Sequence, residues 1–350
     1  MLDQDTINII KATLPAVKAH ADDITARFYP LMFKQYPEVI PYFNQTHQSK
    51  GTQPKALANA VVAYASNIDE LGNLSEAVNK IVQKHCSLGI QPSQYDIVGD
   101  CLLQAIAQVL GDAATEEIIA AWAKAYGQLA GILIGAEEAV YAATEQRAGG
   151  RRGERSFTLV KKVAESSVIT SFYLEPTEGG DVPDFEAGQF VTVVLNVNGV
   201  SLRRNYSLSD APGTGYFRIR VKREPEGAVS NHLHDQLAVG DTIDLLPPCG
   251  DFTLRRNGKP LVLLTAGVGI TPAISMLNVE AQSTRDIRFI HAAINSDMHA
   301  FKAHVNQVAA ANSKITSLYI YSEPGVDCQP DAEGFVTADL ISAQLPEDRD

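Results

Sequence analysis

The stretch Leu261-Val-Leu-Leu-Thr-Ala-Gly-Val-Gly-Ile-Thr-Pro272 constrains the local fold more than any other in the chain. Its apolar run reads as a buried strand, and the two glycines permit a tight turn with close backbone approach to an anion. Thr271 reads as the cap of the next helix and Pro272 as its pre-set first turn, so the open N–H groups of the helix can receive a phosphate. An ordinary strand-to-helix turn has the same pattern, so the companions of this junction decide its meaning.

From Lys259 onward, apolar runs at Leu261 to Ala266, Ile287 to Ala293 and Ile315 to Tyr321 alternate with helix-like stretches starting at Pro272 and Ala300. That order predicts a parallel sheet. Further upstream the chain changes character twice. Residues 1 to 146 show helical spacing, as in Ala56, Ala60, Val61 and Tyr64, or Ile118, Ile119, Trp122 and Tyr126, which predicts an all-helical domain. Gly149-Gly150-Arg151-Arg152-Gly153 then breaks the pattern, and residues 147–153 read as a linker. Short alternating runs follow, such as Phe157-Thr-Leu-Val and Phe217-Arg-Ile-Arg-Val221. They predict a β domain over 154–257, with the parallel-sheet domain over 258–350. No internal repeat or low-complexity tract interrupts this order.

A chain of 350 residues, 45% apolar, has material for two or three domains with full cores. A net charge of −12 excludes general binding to nucleic acid or anionic membranes, which need basic stripes. Cys86, Cys101, Cys249 and Cys328 are scattered without C-x-x-C spacing, and the N-terminus lacks a basic, then apolar leader. With no segment of bilayer length expected either, the reading is a reduced, cytoplasmic protein, monomeric by default and without stable membrane association.

In the helical part, Val78, Ile81, Val82 and His85 share one face by i, i+3, i+4, i+7 spacing. A core-facing imidazole is most often a satisfied core histidine, so position alone assigns it no chemistry.

The neighbours of His85 assign it a role. Phe28-Tyr29, Pro41-Tyr-Phe43, Gln53 with Leu57, Ala63-Tyr-Ala-Ser-Asn-Ile68, Lys84-His85 and Gln94-Tyr95 stand where the flavohaemoglobins have them, and the chain resembles that family over nearly its whole length. The resemblance implies a globin fold, then an antiparallel β-barrel FAD domain of the ferredoxin-reductase type, then an α/β parallel-sheet NAD domain. It implies haem b held by His85 as the proximal ligand, Phe43 packed on the porphyrin, and Tyr29 and Gln53 facing the gas. Leu57 and Lys84 complete the pocket. The O–H of Tyr29 and N–H of Gln53 would stabilise negative charge on a bound gas within an apolar pocket. Tyr95 and Glu137 match the pair that polarises the proximal histidine. Of the adjacent Glu137 and Glu138, one only can face inward from a helix, and Glu137 is the choice. Cys86, beside the proximal position, has no derivable role.

The resemblance extends through three further motifs. Arg204-Asn205-Tyr206-Ser207 is similar to the R-x-Y-S motif of the ferredoxin-reductase family: an arginine for the pyrophosphate, a tyrosine along the flavin and a serine near the ring. Gly227-Ala-Val229-Ser230-Asn231 looks like the second flavin element, where Ser230 or Asn231 opens a helix toward the phosphate. Phe190, in Gly188-Gln189-Phe190, stands where the family usually has tyrosine, so the ring surface persists without its hydroxyl. Gly267, Val268, Gly269, Ile270, Thr271 and Pro272 then fit the nicotinamide-dinucleotide turn. His291-Ala-Ala-Ile-Asn295 offers no arginine for a ribose 2′-phosphate, which favours NADH over NADPH.

The implied activity is nitric oxide dioxygenation, NO and O2 giving nitrate with electrons from NAD(P)H through FAD. The family would continue beyond Asp350 with a further strand, a C-G-P turn and an aromatic over the flavin. The expectation is therefore an incomplete NAD domain of three parallel strands with an open edge after Tyr321. An O2- or NO-binding haemoprotein with a non-functional reductase half is the alternative, and a flavin reductase with a vestigial globin is a third reading.

Overall fold

A computed structural model describes residues 2–43 and 52–345, with side chains for all of these except 52–54. The chain divides into two compact units, one of Met1–Glu145 with Asn198–Arg204, the other of Gln146–Val197 with Asn205–Asp350.

The first unit is helical: α1 (Gln4–Ala19), α2 (Ala21–Gln35), a 3₁₀ turn over Pro37–Tyr42, α3 (Thr52–Ser66), α4 (Ser75–Leu88), α5 (Pro92–Leu110) and α6 (Glu116–Glu145). Local chemistry sets the boundaries. The Asp3 carboxylate accepts the Thr6 N–H at 2.7 Å and opens α1. Gly89, at φ 74°, ends α4 in the left-handed conformation that suits glycine. Pro92 then starts α5 behind a Gln91/Gln94 capping box. The core gathers Ile10, Phe28, Met32, Ile106 and Trp122, all nearly fully buried. Each such side chain contributes roughly 1.5–3 kcal/mol.

One expectation from sequence needs correcting. The 30 residues of α6 are long and apolar enough, by length and composition, to cross a membrane. The helix packs against α1, α4 and α5 and turns Trp122, Leu133 and Glu137 inward.

Beyond Gln146 the chain forms two sheets. Strands β1 (Arg155–Ala164), β2 (Ile169–Pro176), β3 (Phe190–Val197), β4 (Val200–Ser207), β5 (Phe217–Lys222) and β6 (Thr242–Cys249) form one sheet in the order β4-β3-β6-β1-β2-β5. An antiparallel bridge from Leu208, just past β4, to Ile219 of β5 joins the opposite edges at that end and closes the sheet into a barrel. The barrel carries α7 (Ala228–Asp235).

The other sheet is parallel. Strands β7 (Leu261–Ala266), β8 (Ile287–Ala293) and β9 (Ile315–Tyr321) run over the residues the apolar runs predict. Helices α8 (Ile270–Glu280) and α9 (Lys302–Ala311) connect them. The open edge expected after Tyr321 is partly covered. A short strand β10 (Ala332–Glu333) pairs parallel to Ile320 and Tyr321, and the Asp331 carboxylate accepts the Tyr319 N–H at 2.7 Å. A two-residue strand has no apolar periodicity to reveal it. The helix α10 (Ala338–Ser342) follows.

Candidate functional site

In the helical unit, α4, α5 and α6 bring together three of the residues singled out by sequence. His85 Nδ1 lies 2.8 Å from Glu137 Oε1 and 2.8 Å from the Tyr95 hydroxyl. That hydroxyl donates to the same carboxylate oxygen at 2.5 Å. Burial first, and the bond to Glu137 second, push the Tyr95 phenol well above its ordinary range, so it stays a neutral donor. The carboxylate accepts from both partners, which puts the imidazole proton on Nδ1 and leaves Nε2 with its lone pair outward from this triad. A neutral imidazole with Nδ1–H fixed by a carboxylate is the arrangement of a metal-ligating histidine. Glu137 is 2% exposed; on the next residue the helix turns by about 100°, which separates it from Glu138.

Two residues that sequence reasoning misses support this triad. The Tyr126 hydroxyl of α6 donates to the Tyr95 carbonyl at 2.7 Å. Gly99 of α5 makes room for it, since a Cβ there would stand 2.5 Å from the Tyr126 ring. Neither residue carries a motif; the contact exists only once α5 and α6 pack.

Tyr29 of α2 is 6% exposed, with its ring edge-on to Phe43 at 5.8 Å and to Phe28 at 4.8 Å. Leu57 of α3 packs against the same core. Lys84 is exposed on α4. Gln53 begins α3, and its side chain lies outside the described ones. A buried tyrosine, an aromatic cluster and a carboxylate-held imidazole fit a haem pocket by the chemistry of the donor set.

In the barrel, Arg204, Asn205, Tyr206 and Ser207 end β4, half-buried. The Asn205 amide donates to Thr192 Oγ1 of β3 at 3.0 Å, and the Leu208 N–H to the Gln189 carbonyl at 2.9 Å, which fixes the motif against β3. Phe190 lies beside Gly250, where a Cβ would come within 3.0 Å of its ring. The second element departs from expectation. Gly227 is the N-cap of α7, and Ser230 and Asn231 lie within its first turn. Ser230 Oγ donates to the Gly227 carbonyl at 3.1 Å, and the Asn231 amide to the Glu224 carbonyl at 3.1 Å, so both side chains brace the preceding loop. Val229 is 2% exposed and anchors the helix on the barrel. What remains for an anion is the run of first-turn N–H groups.

The glycine turn also departs in detail. Gly267, Val268 and Gly269 form a 3₁₀ turn, Gly267 at φ 50°. Helix α8 then starts at Ile270, with Gly269 as its N-cap. Thr271 is therefore not the cap. Its hydroxyl donates back to the Val268 carbonyl at 3.0 Å, and Pro272 sits one residue deeper in the first turn. The helix therefore starts two residues earlier than a Thr271 cap would place it, directly after the 3₁₀ turn.

Comparison with known proteins follows this division. Residues 26–133 match the globin family, 156–254 the oxidoreductase FAD-binding domain and 263–350 the oxidoreductase NAD-binding domain. A flavohemoprotein of Pseudomonas aeruginosa is 49% identical over 351 residues, covering 100% of this chain and 89% of that protein. The chain belongs to the flavohaemoprotein family. A flavohemoprotein of Bacillus subtilis is likewise 49% identical, over 329 residues, 93% of this chain and 82% of that protein. Among solved structures, the flavohemoglobin of Malassezia yamatoensis, crystallised with bound FAD and heme, superposes with a TM-score of 0.85 at 29% identity. It covers 96% of this chain and 88% of that one. The FAD/NAD-binding domain of a nitric oxide dioxygenase from Vibrio cholerae reaches a TM-score of 0.50 at 32% identity, over 55% of this chain and 81% of that one.

For a flavohaemoprotein, the parts follow the family order: an all-α globin, an antiparallel FAD barrel and a parallel-sheet NAD domain. Tyr95 and Glu137 stand together on His85, and Tyr29 stands against Phe43.

Proposed function

We propose that this flavohaemoprotein is a nitric oxide dioxygenase, converting NO and O2 to nitrate with one electron per NO drawn from NADH through FAD to haem b. The observation that carries the reading is the His85–Glu137–Tyr95 triad in a globin fold on the same chain as a flavin and nicotinamide module. Bound haem b supplies a redox-active iron for the gas, and FAD a store that accepts two electrons and passes them on singly.

The chain's own residues do the rest. His85 offers Nε2 to the iron. Glu137 holds the Nδ1 proton and raises the donor strength of the imidazole, which favours oxygen activation over storage. Tyr29 and Gln53 donate hydrogen bonds toward the gas, while Phe43 and Leu57 keep the pocket apolar and Lys84 flanks it. Arg204 grips the FAD pyrophosphate, assisted by the first-turn N–H groups after Gly227. Phe190, Asn205, Tyr206 and Ser207 orient the flavin, and the Gly267–Pro272 turn receives the nicotinamide dinucleotide. NADH is the favoured donor. The chain works as a cytoplasmic monomer; among the described residues no disulfide joins Cys86, Cys101, Cys249 or Cys328, which fits a reducing compartment.

An anaerobic absorbance titration tests the electron path. Stoichiometric NADH is expected to bleach the flavin band and shift the Soret band to that of ferrous haem. A Soret band that ignores NADH while dithionite reduces it would leave only a gas-binding protein.

A further inference from the structure

Asp210 lies three residues after Ser207, and every acceptor position of its carboxylate is engaged. Oδ2 accepts from the Tyr216 hydroxyl at 2.9 Å and pairs with Arg218 Nη1 at 3.0 Å. Oδ1 accepts from the Ala211 N–H at 3.0 Å and from the Asn278 amide at 2.9 Å. Asn278 belongs to α8, the helix that begins at the glycine turn. One turn earlier on the same face, the fully buried Ser275 hydroxyl donates to the Asp210 carbonyl at 2.6 Å. The Asn278 carbonyl oxygen in turn accepts from His304 Nε2 of α9 at 2.7 Å. Because the Asn278 amide is spent on a carboxylate, its oxygen is the acceptor and His304 carries its proton on Nε2.

A second contact joins the two sheets nearby. Arg220 of β5, 3% exposed, donates to Ser171 Oγ at 2.8 Å and lays its guanidinium over the ring of Phe301. Phe301 holds φ at 72°, a conformation that side chains rarely adopt and that the surrounding packing must impose.

We infer that Asp210 and Asn278 are positioning residues for hydride transfer, a clamp that fixes the strand end bearing the flavin motif against the helix that follows the nicotinamide turn. The inference rests on the flavin and nicotinamide roles proposed above. A hydride moves from the dihydronicotinamide to the flavin, giving NAD⁺ and reduced FAD, and its rate depends on how closely two ligands held by different sheets are brought together. A misplacement of about 1 Å costs about a hundredfold. Asn278 ties both sides to one side chain: its amide reaches the flavin strand and its oxygen the next helix of the nicotinamide sheet.

The test uses the full chain loaded with haem and FAD, in anaerobic stopped-flow reduction by NADH. Asn278→Ala removes both bonds. Asn278→Asp keeps shape and packing but turns the donor that faces Asp210 into a second carboxylate oxygen. Both variants are expected to bleach flavin about ten- to a hundredfold more slowly at saturating NADH, with unchanged FAD content and unchanged apparent Kd for NADH. Wild-type rates in Asn278→Asp would overturn the inference, since packing alone would then suffice. Failure of the wild-type chain to reduce its flavin would instead overturn the functional reading. The clamp is then read by hydrogen exchange: Asn278→Asp is expected to raise exchange in 204–211 and 270–280 together, and unchanged exchange would overturn it.

Discussion

The Nδ1 atom of His85 and the Oε1 atom of Glu137, 52 residues apart in the chain, lie 2.8 Å from each other across α4 and α6. Glu137 is buried with its charge balanced by two donors, so its replacement acts on the histidine more than on the fold. In Glu137→Gln the isosteric amide keeps a hydrogen bond to Nδ1 but loses the negative charge that strengthens the imidazole as a ligand. The iron–histidine stretch is expected to fall in frequency and the haem potential to rise, with turnover down about ten- to a hundredfold. Resonance Raman of the ferrous form checks the first effect; an unchanged stretch would remove Glu137 from the proximal role.

Gly99→Ala is expected to destabilise the globin unit, against the usual direction. In a helix interior alanine is normally better than glycine by about 1 kcal/mol. Here its methyl would stand 2.5 Å from the Tyr126 ring, whose hydroxyl holds the Tyr95 carbonyl. Overpacking of this kind costs about 1–3 kcal/mol. A lower melting temperature with faster haem loss checks it.

Tyr95→Phe removes one donor from a buried carboxylate, while the bond from His85 remains. A cost of about 1–3 kcal/mol in unfolding free energy is expected. Denaturant titration followed by the Soret band gives the value, and the Arg204 to Ser207 region is expected to retain its flavin.

The nicotinamide sheet is expected to weaken on acidification. The rings of His291 and His299 lie 4.4 Å apart between centroids, tilted by 37°, and each has a buried Nε2 without a hydrogen-bond partner among the described residues. Burial pushes His291 from 6.5 to about 4. Burial, and then the neighbouring His291, push His299 to about 3. The unfolded chain binds these protons first, so the stability is fully present above pH 6.5 and is lost as pH falls from there toward 4 and 3. His299→Phe is expected to flatten that slope. Unfolding midpoints of the wild type and this variant between pH 7 and 4 measure it; parallel curves would count against the pair.

The order of folds was legible because each announces itself locally. Helical spacing around His85 and the apolar runs of β7, β8 and β9 are short-range patterns, and the strands run over the same residues. Thr271 was harder, since a 3₁₀ turn and a direct helix start share the same glycines and differ only in where the first helical bond closes. Ser230 and Asn231 favour caps by residue type, yet Gly227 takes that place and both side chains turn back to the loop. Strand β10 has too few residues to show a period. The Asp210–Asn278–His304 chain could not be read at all, because it joins residues 68 and 26 positions apart that no local pattern relates.

The central claim is tested most directly by mixing the haem- and FAD-loaded protein with NADH and NO in oxygenated buffer and measuring nitrate. The account predicts rapid NO loss, nitrate formed in equal amount to the NO consumed, and one NADH oxidised for every two NO. NO that binds once per haem without catalytic nitrate formation would contradict it.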